Sequence, residues 1–127
     1  MRPLSMFAAL LLALPATIVA QVPDSATALR TLGKRIFEGR GLCFSCHGMQ
    51  GEGIVAVGKN TVLDDGKWIH SKGTQPELVA LIKEGIDLTK SRSGVIMPPR
   101  GGSRISDREV DAVAAYVLVL AQKKPAP

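Results

Sequence analysis

Cys43-Phe44-Ser45-Cys46-His47 is the stretch of this chain with the most specific chemistry. Two cysteines three positions apart, with a histidine directly after the second, match the pattern of covalent haem attachment. Two thiols at that spacing can add across the two vinyl groups of one porphyrin, and the imidazole that follows can reach the iron from one side. Other chemistries compete for the same residues. A thioredoxin-like redox pair needs a strand–helix–strand setting, and no segment here shows sustained period-two alternation. A zinc ion would have to recruit Cys43, Cys46, His47 and His70. Adjacent Cys46 and His47 are awkward joint ligands of one tetrahedral ion, and the usual second pair is missing. A Cys43–Cys46 disulfide would close only a tiny loop and stabilise little.

If iron is held by His47, a second axial ligand has to come from elsewhere in the chain. Met49 is only two residues on and cannot cross to the opposite face of a haem. Met97 lies 50 residues downstream of His47, directly before Pro98 and Pro99. A lone methionine is usually core filling. Next to a haem motif, one held before a proline pair becomes the best thioether donor, because proline restricts the loop and helps retain a weak iron–sulfur bond. His70 is the runner-up, since a lone loop histidine is more often a solvated residue than a ligand. Trp68 offers an indole N–H that could meet a haem propionate, or an ordinary backbone partner within a core.

The elements that must position these groups read as helices. From Ser25 to about Gly39, Leu29, Leu32, Ile36 and Phe37 fall on one face, with Asp24 or Ser25 as N-cap and Gly39 and Gly41 as the stop. Gly33 within it is either a tolerated small residue, at about 1 kcal/mol against alanine, or the place where another helix crosses bare backbone. The haem motif follows on the turn after this helix. Glycines at 48, 51, 53, 58, 66 and 73 then break all periodicity up to residue 73. So long a structureless run argues against a compact domain, unless it packs on a rigid planar cofactor. Thr74 and Glu77 predict a capping box that opens a helix with an apolar stripe of Leu78, Leu81, Ile82 and Ile86. Ser106 and Glu109 predict a second box, opening a helix to about Gln122. Ten consecutive apolar residues, 112–121, imply burial of this last helix on more than one side. The fold class expected is all-α.

Residues 1–20 have the form of a secretory signal: Arg2, a mostly apolar run from Leu4 to Ala20, and a small residue at the end. The expected division is a signal over 1–20 and one domain over 21–127. An uncleaved anchor is the rival, but 17 residues interrupted by Pro15 lie at the lower limit of a bilayer span. No cysteine sits near the cut, which argues against a lipoprotein. Export and two cysteines would normally suggest a disulfide, yet this pair suits haem better. The net charge of +5 suits docking on acidic protein faces. Nucleic acid is excluded as a partner class because Lys and Arg are scattered, without aromatic interleaving or a binding module.

With these residues in view, the chain resembles the class I (monohaem) c-type cytochromes over roughly residues 26 to 122. The resemblance rests on Gly33 and Phe37, the Cys43–His47 motif, Gly48 and Gly51, Met97-Pro98, and Tyr116. It implies a small cytochrome c-like fold, in which the first and last helices cross at Gly33, Phe37 and Tyr116 and a middle helix completes the wrapping of one covalent haem c. It implies His47 and Met97 as axial iron ligands, and a monomeric periplasmic electron carrier rather than an enzyme. Its partners would be a dehydrogenase donor and an oxidase or other cytochrome acceptor. The alternatives are an electron-accepting subunit held in a lasting dehydrogenase complex, or an open-site haem protein with peroxidase-like activity. One departure stands out: relatives with Gly-Pro-Asn use the proline carbonyl to accept the outer proton of the haem histidine. Here Gly58-Lys59-Asn60 puts that role on the Lys59 carbonyl.

Overall fold

Four α-helices and two 3-10 turns carry the chain, with no strand among the described residues. The computed structural model describes residues 24–123. The export signal expected over 1–20 lies outside them, and no described helix is long and apolar enough to cross a membrane.

Helix α1 spans Ser25–Phe37. The Asp24 carboxylate caps it by accepting the Thr27 N–H at 2.7 Å, satisfying one of the amides that a helix start leaves open. It ends two residues before Gly39, and the Gly41 N–H folds back onto the Ile36 carbonyl at 2.8 Å. Helix α2 is a single turn, Phe44–His47, at a place where sequence reading expected only a turn. Helix α3 spans Gln75–Glu84, and its expected capping box does not form: Thr74 makes no side-chain capping bond. Glu77 instead reaches past the N-cap and accepts the Lys72 N–H at 2.9 Å. The preceding loop, not the helix, takes its carboxylate.

Helix α4, Asp107–Ala121, has the complete capping box expected of Ser106 and Glu109. The Glu109 carboxylate accepts the Ser106 N–H at 2.8 Å, and the Ser106 hydroxyl accepts the Glu109 N–H at 3.4 Å. Ser106→Ala should therefore lower stability by about 1 kcal/mol. Urea unfolding of the holoprotein should show a lower midpoint with an unchanged slope. An unchanged midpoint would mean that the cap contributes nothing.

Helix α4 packs on α1 along one side and on α3 along another. That explains its apolar circumference: Val110, Ala112, Ala114 and Leu120 are fully buried. Gly33 settles its own two readings. A Cβ built there would overlap the Ala112 carbonyl oxygen and stand 2.6 Å from the carbonyl carbon and 2.9 Å from the Tyr116 Cβ. The two helices cross on bare backbone at this point. One turn on, Phe37 meets Tyr116 edge-on, with ring centroids 5.5 Å apart. Such a pair adds about 1 kcal/mol beyond its buried area. The Tyr116 hydroxyl leaves the core to donate to Glu38 at 3.4 Å.

Candidate functional site

Phe37 joins this crossing to the haem motif, because its ring lies 6.5 Å from the His47 imidazole. The tight turn after α1 delivers Cys43 as N-cap of α2, and one helical turn then presents Cys46 and His47. No disulfide joins the two cysteines. Cys43 donates to the Gly41 carbonyl at 3.5 Å, and burial pushes its thiol up to about 11.

The His47 Nδ1 lies 2.6 Å from the Thr61 carbonyl oxygen. A carbonyl only accepts, so Nδ1 carries the proton and Nε2 keeps its lone pair. Burial also lowers the affinity of the imidazole for a second proton, against the opposing effect of the Thr61 bond. The histidine is thus held neutral with one nitrogen ready to ligate a metal.

The acceptor is Thr61 and not the expected Lys59. Residues Lys59–Thr61 wind into a 3-10 turn, after which Val62 is extended. The last carbonyl of such a turn has no partner within it and faces His47 instead. Thr61 is itself fixed: it is 6% exposed, and its hydroxyl donates to the Gly58 carbonyl at 2.9 Å while accepting the Ile54 N–H at 3.1 Å. The glycine-rich loop is therefore organised by hydrogen bonds around the back of the histidine. The Gly53 N–H, for example, donates to the His47 carbonyl at 2.7 Å.

A cavity of about 230 Å³ brings Cys43, Cys46, His47, Trp68, His70 and Met97 together. Its apolar walls are Phe37, Leu78, Ile82, Val113 and Val117, one side chain or more from each of α1, α3 and α4. Lys67, Ser71 and Asn60 supply polar lining. Met49 is absent from the lining and 47% exposed, as the two-residue separation from His47 requires. Met97 is delivered by a backbone bridge: the Ile86 N–H donates to the Met97 carbonyl at 2.7 Å, and the Met97 N–H to the Ile86 carbonyl at 2.9 Å. Gly85 makes this approach possible. With φ of 70°, it lies where a Cβ would overlap the Met97 carbonyl and stand 2.7 Å from the Pro99 nitrogen.

His70 also lines the cavity. Its Nε2 is buried and has no hydrogen-bond partner, a state that buried polar atoms rarely keep without a reason. The donor set therefore fits a haem: two thiols, a neutral imidazole with a free nitrogen, a thioether and a second imidazole, in an apolar slot. Among the described residues, no group of three or more His, Cys, Asp or Glu side chains is placed to hold a bare metal ion.

Residues 28–117 match the family model described as "Cytochrome C oxidase, cbb3-type, subunit III". The match spans 90 of the 127 residues, from 28 to 117 inclusive. No curated protein and no solved structure matches the chain at a significant level.

Proposed function

Because the chain belongs to the c-type cytochrome family of cbb3-type cytochrome c oxidase subunit III, we propose that it is an exported carrier of single electrons with one covalent haem c. Haem-based electron transfer follows from the family. One haem, its thioether attachment, its ligands and the export are our reading. The observation that carries it is the His47–Thr61 bond, which frees Nε2 in the cavity that also holds Cys43, Cys46 and Met97.

Haem bound here would supply reversible one-electron chemistry at iron. The chain's own part is to bind, orient and exclude water. Cys43 and Cys46 anchor the group covalently, so it cannot dissociate. His47 would ligate the iron through Nε2, while its Nδ1–H donates to the Thr61 carbonyl, fixing the ring and raising its basicity. Met97 would supply a thioether to the iron, and a histidine–methionine pair raises the reduction potential. Phe37, Leu78, Ile82, Val113 and Val117 keep water from the iron, which favours the less charged reduced state. Trp68 offers its indole N–H to a propionate. Held by His47 and Met97 together, the iron would serve electron transfer rather than substrate chemistry. Its donors and acceptors are redox proteins, and its positive charge suits acidic docking faces.

Met97→Ala should abolish the far-red Fe–S absorption and lower the midpoint potential by on the order of 0.1 V, within the roughly 0.8 V that axial ligands span. An unchanged spectrum and potential would refute the ligand assignment. One observation favours a second reading, with His70 in place of Met97: the unpartnered buried Nε2. Low-temperature electron paramagnetic resonance of the ferric protein separates histidine–methionine from bis-histidine ligation.

A further inference from the structure

We propose that Arg100 is the positioning residue that keeps Met97 in place, through a clamp on the Ile105 carbonyl and Asp107. The proposal rests on Met97 being an axial ligand, and it concerns what holds the methionine loop closed.

Arg100 lies three residues past Met97, at φ 54° and ψ 30°. Side-chain-bearing residues seldom adopt this left-handed conformation, and glycine takes it freely. The following Gly101 is left-handed too (φ 67°, ψ 18°), so two consecutive residues reverse the chain after Pro98-Pro99. The turn is closed by the Gly101 N–H, which donates to the Pro98 carbonyl at 3.0 Å. An arginine in a glycine conformation calls for a compensating interaction.

Its guanidinium makes one. One terminal nitrogen donates to the Ile105 carbonyl at 2.8 Å and the other to the Asp107 carboxylate at 2.6 Å. Asp107 is the first residue of α4. Its other oxygen accepts from Lys83, in the last turn of α3, at 2.8 Å. One carboxylate thus links the methionine loop, α3 and α4. Arg100 is 28% exposed and Lys83 39%, so the Arg100 arm is the better shielded of the two. The planar fork can satisfy two acceptors at once, which an ammonium cannot do in that geometry.

The Met97 loop is consequently held at both ends. Upstream, its backbone pairs with Ile86 in both directions. Downstream, Arg100 ties it to the start of α4 and, through Asp107, to α3. A thioether is a weak iron ligand, so the protein has to keep its loop from opening.

The test is imidazole binding to the ferric holoprotein, titrated optically. Imidazole can occupy the position only when Met97 leaves, so its apparent affinity is scaled by the fraction of open loop. Arg100→Ala should raise that affinity about tenfold and speed hydrogen exchange at the Met97 amide. Arg100→Gly, which relieves the backbone strain while removing the guanidinium, should raise it as well, and Arg100→Lys should fail to restore it. Asp24→Ala, which removes the cap of α1 away from this loop, should leave it unchanged, which separates loop opening from global destabilisation. Wild-type imidazole affinity and exchange in both Arg100→Ala and Arg100→Gly, with the Fe–S band present, would overturn the clamp alone. Absence of that band from the unmodified protein would overturn the Met97 assignment and the clamp with it.

Discussion

Replacing both Cys43 and Cys46 by alanine should leave a largely unfolded chain that retains no haem. The walls of the cavity are the core itself, since Phe37, Leu78, Ile82, Val113 and Val117 are all buried residues that also face the site. Removing what fills the cavity leaves those side chains without contacts on one side. At roughly 24 cal/mol per Å³, a void of about 230 Å³ corresponds to a loss of about 5 kcal/mol. A domain of this size has about 5–15 kcal/mol in total. The long 48–73 loop, which needs a surface to pack on, would lose it at the same time. Far-ultraviolet circular dichroism of the double variant should show little helix. A helical spectrum with cooperative thermal unfolding would contradict this, because the core would then be self-sufficient.

Gly33→Ala tests the helix crossing through the sign of its effect. By intrinsic propensity alone, alanine should stabilise an interior helix position by about 1 kcal/mol. The crossing demands the opposite, because the added methyl would overlap the Ala112 carbonyl oxygen and press on the Tyr116 Cβ at 2.9 Å. Backbone cannot swing aside as a flexible side chain can, so α1 and α4 must separate. A net loss of about 2 kcal/mol would lower Tm by roughly 10 °C. Displacement would also move Phe37, and with it the packing beside His47. Thermal unfolding of the holoprotein measures this, with Lys34→Ala as the control. Lys34 lies one residue away on the exposed side and loses only a 3.9 Å surface pair with Glu38, worth a few tenths of a kcal/mol. A raised Tm for Gly33→Ala would exclude the close crossing.

Local chemistry was the legible part. The spacing of Cys43 to His47 suggests haem attachment, and the Ser106–Glu109 box forms as four consecutive residues allow. Asp24 caps α1 for the same reason. The all-α class followed from periodicity, and the apolar stretch 112–121 correctly implied burial on several sides. Illegibility begins where partners are remote. Glu77 had two competing backbone donors within reach, and the loop at Lys72 won over the helix start. The acceptor for His47 depends on a 3-10 turn fourteen residues downstream, which no periodicity marks. That turn sets which carbonyl faces the histidine.

Two further features depend wholly on tertiary packing. The Ile86–Met97 bridge needs Gly85 to have no side chain, and that requirement is invisible until the two segments meet. The left-handed Arg100 reads in sequence as a residue after two prolines, with nothing to distinguish it from a solvated charge. His70 is similar. A loop histidine looks exposed by its neighbours, yet its Nε2 is buried.

The most direct test of the central claim is a reduced pyridine haemochrome spectrum of the purified, denatured protein, taken before and after acidic organic extraction. The expected result is one haem per chain, with the band position of a porphyrin whose vinyls are both saturated as thioethers, and no loss on extraction. Haem that extracts freely, or a chain that carries none, would contradict covalent attachment at Cys43 and Cys46.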